Sequence, residues 1–227
     1  MLDINNIEVQ RDIGEYNKYC RDKSVLKNNN FFIAIHNNED TIATGELYII
    51  SQRVAKLNIY IEVEGVDKEK VTNLFIDEIL YWNPFLKTIY YENGEFENKG
   101  FKELKKIHID DIQPSQLYIS KEKLKNVSSW LDSEEKLIIP VLESNGTYIS
   151  LDGHTRIVQG YINGYENVYI YIDNDSNLED YRVFIDWCKN ANIKSVKDLT
   201  KRIISKDEYE IKWNNRCRNY FENIEND

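Results

Sequence analysis

The residues best suited to chemistry lie in one short stretch of the chain, residues 147–164. Its first half alternates, with Thr147, Ile149 and Leu151 separated by Tyr148 and Ser150. This alternation is typical of a half-buried strand. The sequence therefore predicts that a strand delivers the chain to the polar residues that follow.

Those polar residues begin at a sharp break. Asp152 and Gly153 interrupt the alternation, and Ile157, Tyr161 and Ile162 then recur at helical spacing, which predicts that these three share one apolar face. A strand that turns abruptly into a helix leaves the first N–H groups of the helix unpaired. They point at one small volume, with the positive end of the helix dipole behind them. Such a volume suits a phosphate group.

Five consecutive residues at this turn are candidates for the site. We expect the backbone N–H groups of Gly153, His154 and Thr155 to bind phosphate, with Arg156 adding a forked cation. Asp152 would bind magnesium or a substrate donor, and the imidazole of His154 would donate to phosphate or act as acid or base. A second interpretation stays open, in which Asp152 caps the helix, Gly153 makes the turn, and His154 and Arg156 are ordinary surface residues.

The elements around the turn resemble the ParB/sulfiredoxin fold between residues 107 and 172. The resemblance rests on their order and on their turn residues together. In order they are an Ile-x-Pro-x-x-Leu segment at 112–117, a helix at 121–131, a strand at 137–142 containing Pro140, an Asn145-Gly146 hairpin turn, the Asp-Gly-His-x-Arg turn, a helix and a closing strand at 168–172. The resemblance implies an α/β domain over residues 102–176.

Members of this fold use the turn differently. Sulfiredoxins have a catalytic Cys where this chain has His154, which excludes that chemistry. The free-serine kinases carry Asp-Gly-His-x-Arg, which matches Asp152, Gly153, His154 and Arg156, and hold adenine-nucleotide phosphates and magnesium there. This resemblance implies that Asp152, His154 and Arg156 are catalytic, that Asp152 binds Mg²⁺, and that residues 153–156 bind the phosphates of ATP or ADP. Phosphate would then pass to a small hydroxylated molecule, or the nucleotide would be hydrolysed.

The general base is not identified by this resemblance. The kinases place a Glu just after the Pro, whereas Pro114 is followed here by Ser115. Asp110, Asp111 and the N-terminal domain remain candidates.

Two other kinds of metal site were weighed. A zinc site is disfavoured because the histidines are isolated from one another in sequence. A nuclease would need Asp110, Asp111 and Asp152 to converge on a metal ion.

Residues 1–101 resemble the later part of a GNAT acetyltransferase. An amphipathic helix at 11–23 is followed by strands at 31–36, 41–50 and 54–63, a helix at 67–82 and a strand at 86–92. The loop at 64–70 has one glycine and begins with an acid, so it lacks the glycine-rich cradle that binds the pyrophosphate of CoA. We expect a substrate-covering or partner-binding module, with an active acyltransferase as a less favoured alternative.

Residues 177–227 form a predicted C-terminal helical extension. A helix at 178–190 should pack Trp187 against Trp213, and Ser195 and Ser205 should each begin a further helix. These helices suggest the alternative function, a ParB-like regulatory or DNA-associated binding module without catalysis. Their basic residues are Lys197, Lys201, Arg202, Lys206, Lys212, Arg216 and Arg218.

The composition limits partners and compartment. The chain has 227 residues, is 41% hydrophobic and carries a formal net charge of −10, which disfavours nucleic acid and anionic membranes. Three isolated cysteines and the lack of a long apolar run favour a reducing, cytoplasmic setting without membrane attachment. The oligomeric state stays open. The predicted fold class is α+β: a GNAT-like mixed sheet, a ParB/sulfiredoxin-like α/β domain and a helical extension.

Overall fold

The chain contains two structural units, each with its own mixed sheet. A computed structural model describes residues 7–10, 31–37 and 40–224. The first unit is Met1–Lys102 and the second is Glu103–Asp227; the sequence-based boundary was placed after residue 101. The predicted helix at 11–23 lies outside the described residues. The mixed α/β class and the C-terminal helical region are confirmed.

In its described residues, the first unit consists of a six-stranded sheet and one helix. Its strands are β1 (Ile7–Gln10), β2 (Phe31–Asn37), β3 (Asp40–Ser51), β4 (Val54–Ile61), β5 (Thr88–Tyr91) and β6 (Gly94–Glu97), and its helix is α1 (Lys68–Trp82). The strands lie in chain order and are antiparallel except for the parallel pair β4–β5, which α1 connects. The sequence predicted β2 to β5 and α1, but neither β1 nor β6.

Helix α1 packs on this sheet through apolar residues at helical spacing. Val71, Phe75 and Ile79 are buried. A Cβ at Gly45 in β3 would lie 3.2 Å from the ring of Phe75, so a glycine there lets the helix approach closely. The first unit is therefore held together by a helix-on-sheet core.

The second unit holds the predicted site. Its elements are β7 (Lys105–His108), β8 (Ile112–Gln113), β9 (Ile119–Ser120), α2 (Lys121–Ser128), β10 (Ile138–Ser144), β11 (Thr147–Ser150), α3 (His154–Ile162) and β12 (Asn167–Ile172). Five of the strands form a mixed sheet in the order β7-β12-β10-β11-β8. The β10–β11 hairpin turns at Asn145 and Gly146, whose φ angles of 50° and 76° match the predicted Asn-Gly turn.

The C-terminal region adds helices and one short strand. They are α4 (Leu178–Asn190), α5 (Val196–Leu199), β13 (Ile203–Ile204), α6 (Lys206–Tyr209) and α7 (Asn215–Ile224), with a π-helical stretch at Glu210–Asn214. Strand β13 pairs with β9, which ties this region to the rest of the second unit. The rings of Trp187 and Trp213 lie 6.2 Å apart, so their predicted packing is confirmed. In the described part of the chain, no helix is long and apolar enough to span a membrane.

Candidate functional site

The site begins where β11 leaves the sheet. Ser150 lies opposite Val141 of β10, and the N–H of Leu151 donates to the carbonyl of Pro140 over 3.1 Å. Two residues later, Gly153 has φ +80°, in the left-handed region. A Cβ there would lie 2.6 Å from Cγ2 of Ile139, so both the backbone angle and the packing require glycine. The sharp strand-to-helix turn predicted from the sequence is present.

Helix α3 starts from this glycine without a side-chain cap. The N–H groups of Gly153, His154, Thr155 and Arg156 make no hydrogen bond with any described residue. Gly153 and His154 are buried. Buried backbone donors nearly always have a partner, and a buried helix end without one is unusual. We refer to residues 152–156, with these four donors, as the 152–156 turn.

Three other helices begin with a side-chain cap that binds one or two of the corresponding N–H groups. The carboxylate of Asp67 accepts from the N–H groups of Glu69 and Lys70 at the start of α1, over 3.0 and 3.2 Å. Ser120 caps α2, and Asn177 caps α4. The start of α1 follows the 64–70 loop that lacks the glycine-rich cradle for CoA, and two of its N–H groups already donate to Asp67. The start of α3 has its donors available to an external acceptor.

Arg156 lies across the glycine of the turn. Its Nη1 donates to the carbonyl of Ile138 over 2.8 Å, and its Nη2 forms an ion pair with Oδ2 of Asp152 at 3.3 Å. A Cβ at Gly153 would lie 3.0 Å from the same Nη2. The Arg156 side chain is 24% exposed, whereas that of Asp152 is 76% exposed. The guanidinium is therefore fixed by the start of β10, and Asp152 lies on the solvent side of it.

His154 is buried beneath the turn. Its Nε2 accepts from the N–H of Ser115 over 3.1 Å and from the hydroxyl of Ser150 over 2.8 Å. The Ser115 Oγ lies 3.2 Å from the same nitrogen and donates to the carbonyl of Ser150 over 2.6 Å. A backbone N–H can only donate, so Nε2 is the unprotonated nitrogen and the ring proton lies on Nδ1.

The electrostatics keep this imidazole neutral. Burial lowers the pKa of His154 to about 4, while Asp152 opposes the shift and Arg156 adds to it. Arg156 is thus the cation of the 152–156 turn at neutral pH. Burial also raises the pKa of Tyr171 to about 12, with smaller effects from Arg156, Asp173 and Asp152. The structure therefore places a neutral imidazole beneath the turn and the carboxylate of Asp152 beside Arg156.

The predicted site residues lie together, but in different environments. Gly153, Thr155 and Arg156 contribute the donors and the cation, and the Thr155 side chain is half-buried. The Nε2 of His154 is engaged inside the domain, so the acid–base role for this ring stays an untested prediction. Among the described residues, no three His, Cys, Asp or Glu side chains form a group that could hold a metal. Asp152 could supply one carboxylate to Mg²⁺, which commonly takes its remaining ligands from phosphates and water.

The candidate bases do not lie within this hydrogen-bonded cluster. Asp110 and Asp111 are exposed, in a short 3₁₀ helix (Ile109–Asp111) after β7. Ser115 and Ser150, which hydrogen-bond to His154, were not predicted as site residues. Ser115 occupies the position after Pro114 at which the resembling kinases place Glu, and that alignment was the one signal that could have singled it out. Pairing with His154 across 39 positions has no local signature.

Comparisons with known proteins do not assign this site. No known protein family and no curated protein matches the chain. Among solved structures, the chain is similar to protein Atu1540 from Agrobacterium tumefaciens, with 15% sequence identity and a TM-score of 0.30. The alignment covers 45% of this chain and 62% of that one. A similarity at this level carries no inference about fold or function, so the site is interpreted from its own geometry.

Proposed function

We propose that the second unit binds the phosphate groups of ATP or ADP at the 152–156 turn and transfers phosphate to a small hydroxylated molecule. Hydrolysis of the nucleotide is the same chemistry with water as acceptor. The observation that carries the proposal is a set of four N–H groups that have no hydrogen-bond partner among the described residues, two of them on buried residues, beside a fixed guanidinium. Convergent N–H groups at a helix start, with a cation beside them, favour a bound phosphate.

Some residues of the turn would bind the phosphate oxygens, and others would offset their negative charge. The N–H groups of Gly153, His154 and Thr155 would contact phosphate oxygens, and Arg156 would offset the negative charge that develops during transfer. Asp152 would bind Mg²⁺ that arrives with the nucleotide, or orient the acceptor. The acceptor oxygen attacks phosphorus, the shortened nucleotide leaves, and a base takes the hydroxyl proton. That base remains unassigned.

The order of elements supports the wider proposal. From β8 to β12, the strands, helices and turns follow the order from which the ParB/sulfiredoxin-like domain was predicted. We propose that residues 102–176 form such a domain. The first unit would be a GNAT-like module that covers the substrate or binds a partner. We do not expect it to bind CoA, because Asp67 already accepts from two N–H groups at the start of its helix.

A second candidate function is favoured by one observation. Ser115 stands where a kinase of this fold would have its base, and it is buried and bonded to His154 and Ser150. A ParB-like regulatory or DNA-associated module would need only nucleotide binding and a change of conformation. The net charge of −10 disfavours nucleic acid as its partner.

Calorimetric titration with ATP, ADP and CTP, each with Mg²⁺, tests nucleotide binding. We expect ATP or ADP to bind, and Arg156→Ala to weaken that binding by about 10- to 100-fold, because a hydrogen-bonded charge is lost. Arg156→Lys keeps the charge but loses the fork, so its affinity should be intermediate. Binding accompanied by transfer to a hydroxylated acceptor, or by phosphate release, supports the enzyme; binding alone supports the regulatory module.

Arg218→Ala is the matched control. Arg218 forms an ion pair with Glu210 at 3.3 Å on the C-terminal helices and lies outside the 152–156 turn. This variant removes the same charge from the same unit and should bind nucleotide like the wild type. The absence of binding by all three nucleotides would overturn both proposed functions and leave the turn as a structural helix start.

A further inference from the structure

We infer that Ser115 is a positioning residue of the 152–156 turn, which it holds in its phosphate-binding shape through His154 and Ser150. This inference rests on the proposed function and adds to it a residue that does not touch the ligand. Ser115 lies on the 114–118 loop, which joins β8 to β9. It is 4% exposed, so it acts within the domain rather than on solvent.

Ser115 bonds to residues on either side of Asp152 and Gly153. Its N–H donates to Nε2 of His154, the first residue of α3, over 3.1 Å. Its hydroxyl donates to the carbonyl of Ser150, the last residue of β11, over 2.6 Å. The two bonds therefore bridge the strand and the helix that flank Asp152 and Gly153. The hydroxyl proton of Ser115 is directed at that carbonyl.

Ser150 provides a second donor to the same nitrogen. Its hydroxyl lies 2.8 Å from Nε2 of His154, and the side chain is fully buried. With two donors on Nε2, the imidazole must keep this nitrogen unprotonated and hold one orientation. A fixed ring on the first residue of α3 holds the neighbouring N–H groups in one direction.

The loop that carries Ser115 is itself anchored. Gln113 of β8 pairs with Ile149 of β11, and its Nε2 donates to the carbonyl of Ile193 over 3.1 Å. The sheet and the C-terminal region therefore both hold the loop in place. A rigid support is what a binding site requires, because small displacements of its donors weaken the contacts with a ligand.

Two variants and one control test the role. Ser115→Ala removes the bond to the Ser150 carbonyl but keeps the N–H, Ser150→Ala removes the second donor to Nε2, and the double variant tests whether the two act through the same ring. Ser120→Ala is the control, because Ser120 is a buried serine of the same unit that caps α2. It should lower stability without changing the turn.

Two readouts separate positioning from general stability. The first is the affinity for ATP with Mg²⁺, together with that for inorganic phosphate. The second is the protonation pattern of the His154 ring nitrogens by ¹⁵N NMR; the chain has three histidines, so His154→Gln assigns the signal. We expect Ser115→Ala to weaken binding by about tenfold, the equivalent of one well-placed hydrogen bond. Loss of the Ser150 donor should change the His154 ring signals. Ser115→Thr should bind ATP more tightly than Ser115→Ala does. The loss of binding free energy in the double variant should be smaller than the sum of the losses in the two single variants.

The results distinguish this inference from the proposed function. Wild-type protein that binds neither ATP nor phosphate overturns the proposed function, and the positioning role with it. Wild-type binding that Ser115→Ala, Ser150→Ala and Ser120→Ala all leave unchanged overturns the positioning role alone. A third outcome is an equal loss of affinity in Ser115→Ala and Ser120→Ala, with unaltered His154 ring signals in Ser115→Ala and Ser150→Ala. That outcome would show an effect of general stability and would also overturn the positioning role.

Discussion

Gly153→Ala should damage the fold and the site together. Gly153 has φ +80°, and an added Cβ would lie 2.6 Å from Cγ2 of Ile139. The left-handed backbone costs an L-residue about 1–2 kcal/mol, and overpacking in a filled interior costs about 1–3 kcal/mol more. We therefore expect a loss of about 2–5 kcal/mol in the free energy of unfolding. Nucleotide binding should disappear, because the new methyl must displace Ile139 or the guanidinium of Arg156.

Gly164→Ala provides the matched comparison. Gly164 has φ +81°, but an added Cβ there would meet no atom within 4 Å. This variant carries the same backbone strain at the other end of α3, so we expect a loss of only about 1–2 kcal/mol and intact nucleotide binding. The difference between the two variants, about 1–3 kcal/mol, measures the contact with Ile139.

Urea unfolding followed by tryptophan fluorescence is a suitable assay. Trp130, Trp187 and Trp213 lie in the second unit, whereas Trp82 belongs to the first, so the signal reports mainly on the unit that contains the turn. Equal losses of stability in Gly153→Ala and Gly164→Ala would refute the packing argument. Wild-type affinity in Gly153→Ala would refute the assignment of phosphate to this turn.

Two further predictions concern the neighbouring charges. The folded pKa of His154 is about 4, below its ordinary 6.5, so between these values the unfolded chain binds more protons and the free energy of unfolding decreases as the pH is lowered. Between pH 7 and pH 5 the loss should be about 2 kcal/mol, measured by urea midpoints, and His154→Gln should lack it; an equal slope in that variant would contradict the assignment. Asp152→Asn removes the exposed ion pair with Arg156. Inorganic phosphate should then bind about two- to fivefold tighter, while ATP with Mg²⁺ binds more weakly; a change of the same sign for both ligands would exclude Asp152 from the metal.

Local patterns predicted most of the elements around the site. Asn145 and Gly146 determine a tight turn because both backbone angles are positive. The Asp-Gly break predicted where β11 ends and α3 begins, and Ser205 marked the start of α6 with a complete capping box. These features depend on residues a few positions apart, so a single sequence contains them.

Contacts between distant segments could not be predicted in the same way. The helical spacing placed Ile162 on the apolar face of α3, but Ile162 is 51% exposed, whereas Val158 and His154 are buried. That prediction was wrong because the direction of burial depends on how α3 packs against the sheet, where Leu137 approaches Gly160. The bonds from Ser115 to His154 likewise depend on the tertiary arrangement.

The short strands were missed for a related reason. Strands β8, β9 and β13 contain two residues each, too few to show an alternating pattern. They exist because neighbouring segments present partners to them: β8 pairs with β11, and β13 with β9. The loop that carries Ser115 lies between two of these strands, so local sequence patterns could not predict its position beside the 152–156 turn.

The most direct test of the central claim is the response of four backbone amides to a nucleotide. In ¹H–¹⁵N spectra of the ¹⁵N-labelled full-length protein, titration with ATP and Mg²⁺ should shift the signals of Gly153, His154, Thr155 and Arg156 more than others, because their N–H groups would donate to phosphate. The amides of Glu69 and Lys70, which already donate to Asp67, should stay in place. Unchanged signals at all four positions, with ATP present at saturating concentration, would contradict phosphate binding at the 152–156 turn.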